Sequence, residues 1–200
     1  MALAQPQRDS IPIARNSSHF VNIHNNLVEV LTQIKAIKDL SARVLWVSCR
    51  LNRSGEKEAS PVFVGWVEDN EAINIRVKRQ HKFAPIEIRM TDTHKSELYE
   101  ECLRKGSGVL VRRNWGQQLA SPGSQEIGKK FYGETDRRSV AVQINGRSVG
   151  TLNVGFQGDP GAADNDIQSI LLNWAQAPNS GLVNYIKENL EYSEFYPAKP

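Results

Sequence analysis

The chain has 200 residues, of which 40% are hydrophobic and 24% charged, a composition that suits a packed globular protein and excludes collagen-like, low-complexity and purely coiled-coil chains. Twenty-five Lys and Arg against twenty-two Asp and Glu leave a net +3, too small a surplus to bind nucleic acid or a membrane surface by charge alone. No window holds the ~18 uncharged apolar residues of a spanning helix, and residues 1–16 lack the apolar stretch of a secretion signal, so a cytoplasmic setting is expected.

Residues 1–16 carry two prolines and no sustained period and read as a flexible N-terminal arm, with residues 17–200 as a single domain. Ser17 or Ser18 can cap a helix whose apolar positions Phe20, Ile23, Leu27, Val30, Leu31, Ile34 and Ile37 recur at intervals of three and four. Within it Phe20, Leu27 and Ile34, and likewise Ile23, Val30 and Ile37, repeat at seven, the spacing of a short two-stranded seam. These six are the candidate dimer interface, with burial in the chain's own core as the alternative. Val44 to Leu51 then changes to the β-branched and aromatic usage of a central strand, and Val62 to Val67 resumes it after a polar loop. Ile73 to Lys78 and Ile86 to Met90 alternate apolar with polar residues, as strands with one wet face do.

Thr93 can cap a helix from Lys95 to Lys105 that Gly106 ends, and Val109 to Val111 is a short strand. Between Asn114 and Gly133 four of the fourteen glycines interrupt any period, the pattern of a long binding or excursion loop. Val140, Val142 and Ile144 alternate up to Asn145-Gly146, a type I′ turn pair, and Arg147 to Phe156 returns. A plain two-residue turn would set Val142 opposite Val149 and Val140 opposite Thr151, yet the apolar set of the return strand is Leu152, Val154 and Phe156. Either Gly150 marks a bulge or both faces of that strand are covered. Asp164 can cap a helix through Ile167, Ile170, Leu171 and Trp174; Pro178 and Gly181 interrupt it, and Leu182 to Tyr192 is the last helix.

Several strings resemble chemistry without its context. Gly123 to Lys129 follows the phosphate-loop spacing, but Lys130 stands where the metal hydroxyl belongs and no strand precedes it. Gly146-Arg147-Ser148-Val149-Gly150 spells a nucleophile elbow, but it lies in a hairpin and no histidine follows His94. The four histidines show no metal spacing, and the two cysteines, Cys49 and Cys102, are too few for a disulfide framework or a thiolate zinc site; no metal is expected. The basic stretch Arg76 to Lys82 and the pairs Arg112-Arg113, Lys129-Lys130 and Arg137-Arg138 read first as solvated faces. If Arg113, Trp115 and Arg138 converge at the mouth of the long loop, they supply a charge fork and a stacking plane for an anionic or planar ligand. Trp46, Trp66 and Trp174 fall within apolar patterns and read as core.

The paired stretches Ser139 to Ile144 and Asn145 to Val154, the helix Asp164 to Ala175, the run Leu98 to Val111 and the opening Leu27 to Arg50 together resemble the GAF domain family over roughly residues 20 to 190. The resemblance implies an α+β fold, an antiparallel sheet of about six strands packed against N- and C-terminal helices, and a stand-alone sensor or regulatory module that binds a small ligand or partner protein and forms a homodimer through its N-terminal helix. Family members that attach a bilin use a cysteine beside a histidine, and those that reduce free methionine sulfoxide use clustered loop cysteines. Cys49 lies between Ser48 and Arg50 and Cys102 between Glu101 and Leu103, so no cofactor is expected. Two alternatives remain: an enzyme with a lid at 114–138, and a subunit docking on another protein or on nucleic acid.

Overall fold

The structure is a computed structural model that describes residues 18–51, 59–66, 86–89, 105–114, 134–177, 180–191, 193 and 195–197. Its elements are helix α1 (Ser18–Lys35), strands β1 (Val44–Leu51), β2 (Ala59–Trp66), β3 (Ile86–Arg89), β4 (Val111–Asn114), β5 (Asp136–Ile144) and β6 (Arg147–Phe156), a 3-10 turn (Gly161–Ala163), helices α2 (Asp164–Gln176) and α3 (Ser180–Asn189), and β7 (Tyr196–Pro197). The expected strand at Ile73 to Lys78 and the expected helix up to Arg104 lie outside the described residues. No described helix is long and apolar enough to cross a membrane.

All strand pairs are antiparallel, in the order β3-β2-β1-β6-β5-β4, with β7 against the start of β6. Pro61 sits inside β2, where it pairs with β3 but lies beyond the stretch that pairs with β1; a proline is tolerated where no second neighbour needs its missing N–H. β4 starts at Val111 rather than Val109, after Gly106 and Gly108 turn the chain at φ 81° and 84°.

The β5–β6 hairpin resolves the register conflict read from its residues. Asn145 and Gly146 adopt φ 50° and 68°, the left-handed pair of a type I′ turn. Ile144 then pairs with Arg147 and Gln143 with Ser148, but Val142 pairs with Gly150 and Val140 with Leu152. One extra residue, Val149, therefore moves Leu152, Val154 and Phe156 onto the face of Val140 and Val142. Gly150 is required there: a Cβ would lie 2.0 Å from the carbonyl oxygen of Arg50. A second irregularity between Val44 and Trp46 keeps Val44 with Val47, Cys49 and Leu51 while sending Trp46 to the opposite side.

The core lies between one face of the sheet and the helices. Ile23, Leu27, Val30, Leu31 and Ile34 of α1 pack there with Val47 and Cys49 of β1, Leu152 and Val154 of β6, and Ile167 and Leu171 of α2. Each such side chain contributes about 1.5–3 kcal/mol of transfer free energy. This corrects the expected dimer seam for four of its six residues: Ile23, Leu27, Val30 and Ile34 are fully or almost fully buried within their own chain and so are not offered to a second copy, and Ile37 packs partly against the same core. The side chain of Phe20 lies outside the description.

Candidate functional site

Strand alternation divides the polar residues of the sheet into two groups. On the helix-facing side, Arg138 is 2% exposed, and its charge is met from three directions. Its Nε donates to Asp164 Oδ1 at 2.6 Å, its Nη2 to Asp159 Oδ1 at 2.5 Å and its Nη1 to the carbonyl of Arg137 at 3.1 Å, with Asp136 Oδ1 at 3.8 Å. Asp164 Oδ2 faces Arg112 Nε at 2.8 Å as an ion pair lacking hydrogen-bond alignment. Asp164 therefore opens α2 as a first-turn acid that also favours the positive end of the helix dipole; the residue in the N-cap position is Ala163, which makes no side-chain cap bond. Asp159 also accepts from the backbone N–H of Gly161 at 3.0 Å, and Asp136 accepts from Asn114 Nδ2 and Thr135 Oγ1. This group staples β5, the 157–161 loop and the start of α2 together.

The opposite face carries three cross-strand rows. Trp46, Gly155 and Arg137 form the first, with Arg113 at the register position beyond Arg137; Ser48, Asn153 and Ser139 form the second; Arg50, Thr151 and Ala141 form the third. Trp46, Ala141 and Val111 are buried yet stand outside the core cluster. The helices account for the other side: α1 lies against β1 and β2, and α2 against β5.

Within the rows the polar groups are ordered. Ser139 Oγ donates to Asn153 Oδ1 at 2.7 Å, and Asn153 Nδ2 is shared among Thr151 Oγ1 at 3.1 Å, the Thr151 carbonyl at 3.2 Å and the Ser48 carbonyl at 3.5 Å. Ser48, Ser139, Thr151 and Asn153 are all buried, and a buried polar layer of this extent costs free energy unless its hydrogen bonds are completed. At its edge, Arg137 Nε and Nη2 donate to the two oxygens of buried Glu134 at 2.7 and 3.0 Å, while Arg137 Cζ stands 4.9 Å from the centre of the Trp46 ring. The ring approaches β6 closely because residue 155 is glycine; a Cβ there would come within 2.5 Å of Trp46 Cε2 and Nε1. Trp46 Nε1 is buried with no hydrogen-bond partner.

Of the ligand-binding residues singled out from the sequence, Arg113 and Arg138 are not brought to the same face of the sheet by register. Arg113 pairs with Arg137 and Arg112 with Arg138, so Arg113 and Arg138 occupy positions of opposite alternation, and the carboxylates of Asp159 and Asp164 engage Arg138. Trp115 and the loop through Gly133 lie outside the described residues. Cys49 sits on the core side, where burial pushes its thiol up to about 12, far from the thiolate a nucleophile needs. Ser148 is buried within β6. No group of His, Cys, Asp and Glu among the described residues has the arrangement of a metal site. Sequence reasoning missed Ser48, Ser139, Thr151, Asn153 and Arg137. The available signal was a polar residue at alternate positions of three segments that register then aligns.

No family model matches the chain, and no curated protein matches it significantly. Among solved structures it is similar to a GAF domain/HD domain protein from Geobacter sulfurreducens (TM-score 0.48, 12% identity, covering 82% of this chain and 98% of that one). It is also similar to a type II free methionine-R-sulfoxide reductase from Thermoplasma acidophilum (0.46, 14%, 85% and 98%). A third is the GAF domain of a two-component sensor histidine kinase from Bacillus halodurans (0.42, 12%, 79% and 97%).

Proposed function

We propose that the chain is a GAF-like regulatory module that binds a small molecule on the sheet face opposite its helices. The observation that carries this reading is the unpartnered, buried indole N–H of Trp46 beside the ordered polar row Ser48, Asn153 and Ser139: on a face the core does not use, that donor has an unmet demand for a hydrogen bond, and the row beside it keeps unused lone pairs and protons. Binding there regulates only if the ligand prefers one arrangement of the chain over another. In this reading Ile23, Leu27, Val30 and Ile34 of the N-terminal helix serve the core rather than a dimer seam. An enzymatic reading gains no thiolate from Cys49.

The test is native mass spectrometry of the freshly purified chain beside its Asn153→Leu variant. A copurified small molecule present on the parent and absent from the variant supports the reading. A molecule retained equally by both, or none on the parent together with no ligand response from the Trp46 indole, overturns it.

A further inference from the structure

Resting on that reading of the site, we infer that the ligand is uncharged and ring-sized, and that it presents oxygen acceptors together with at least one donor, as a cyclic amide or a ring polyol does. The inference follows from which hydrogen-bonding capacity is already used. Ser139 Oγ gives its proton to Asn153 Oδ1 and keeps its lone pairs; Asn153 Nδ2 is spent on Thr151 and Ser48. Thr151 Oγ1 accepts from Asn153, which leaves its own proton to donate. Ser48 Oγ can do either, and Trp46 Nε1 can only donate. What remains is therefore a mixed array of donors from Trp46, Thr151 and Ser48 and acceptors from Ser139, Asn153 and Ser48.

The array carries no charge of its own. The guanidinium at its edge, Arg137, is held bidentately by Glu134 and stands over the Trp46 ring, and Arg50 in the third row is also engaged. An anion at the edge of the array would have to draw Arg137 from Glu134, whereas a neutral ligand completes the array as it stands. Size follows from the lattice of the sheet. Three strands at a spacing of ~4.8 Å make the second row roughly 10 Å wide, the width of one ring with its substituents.

The experiment pairs neutral probes with charged analogues: uracil against orotate, and glucose against gluconate. Binding is read by the indole N–H resonance of Trp46, assigned with Trp46→Phe, and by thermal shift of the full chain. A neutral probe should move the Trp46 resonance, and binding should weaken about tenfold in Ser139→Ala, read by that resonance, and in Trp46→Phe, read by thermal shift, the loss of one hydrogen bond to a buried partner. These two small changes keep the test open if Asn153→Leu fails to fold. Orotate or gluconate moving the same resonance at equal or lower concentration than its neutral counterpart overturns the ligand class while leaving the site intact. Probes that bind without moving Trp46, or no response from any of the four, overturn the class and the site together.

Discussion

Replacing Arg138 with alanine separates the two roles open to it. As a ligand fork, the guanidinium would be dispensable for folding and its loss would be felt in binding. The structure makes the opposite case: removing it leaves Asp136 without the charge it faces and Asp164, 3% exposed, with only the exposed Arg112, and breaking a buried ion pair on one side costs about 3–5 kcal/mol. In a chain of this size that lowers the melting temperature by roughly 6–20 °C. Two neighbours calibrate the effect. The side chains of Arg112 and Asp159 are 64% and 63% exposed, so Arg112→Ala and Asp159→Ala remove mostly screened partners, and each should cost about 1 kcal/mol or less. Urea denaturation followed by circular dichroism reads all three variants on one scale. An Arg138→Ala protein that unfolds at the same urea concentration as Arg112→Ala would refute the assignment of this arginine to the staple.

Leu27→Ala should cost about 2–5 kcal/mol by opening a core cavity and should leave the mass measured by light scattering equal to that of the parent; a changed mass at unchanged stability would restore the seam. Burial holds Cys49 protonated up to a pKa of about 12 against an ordinary 9.0. The neutral thiol thus favours the folded chain below pH 9, and that contribution is lost as pH rises from 9 toward 12, about 1.4 kcal/mol for each unit within the window. The parent should lose stability relative to Cys49→Ala between pH 9 and 10.5, and peptide mapping should find Cys49 unalkylated at pH 8; equal slopes would contradict the burial. Gly150→Ala drives a Cβ into the backbone carbonyl of Arg50 and Gly155→Ala drives one into the movable ring of Trp46. The first should therefore be the more destabilising, and the second should cost about 1–3 kcal/mol with a changed tryptophan emission; the reverse order would mean that the bulge is misplaced.

The parts of the fold legible in the chain were those in which local chemistry and burial agree. The stripe of α1, the Val44–Leu51 strand and the Asn145-Gly146 turn each satisfy backbone preference and apolar phase at once. The loss of phase near Gly150 was readable too, because period two tolerates no odd residue; the close approach of the Arg50 carbonyl behind it was not. β5 begins at Asp136, four residues ahead of the alternation at Val140, since Arg137 and Arg138 look like solvated charge until their partners are known. Those of Arg138 stand 21 and 26 residues away, beyond any local window. Asp164 follows the cap rule in sequence, but its carboxylate is drawn to Arg138 instead. Ser48, Thr151 and Asn153 read as the wet side of half-buried strands, and only the register of β1, β6 and β5 reveals that they adjoin one another and Ser139.

Arg137 and Arg138 show why that register matters for function. Consecutive residues of a strand face opposite ways, so this pair places one guanidinium over Trp46 beside the polar rows and the next against the start of α2. Each is neutralised separately, the first by Glu134 and the second by Asp159 and Asp164. They are also joined, because Arg138 Nη1 donates to the carbonyl of Arg137 at 3.1 Å. The peptide between them is a short mechanical link from the polar face to the helical layer. A displacement of Trp46 that moves Arg137 acts directly on the carbonyl that helps fix Arg138.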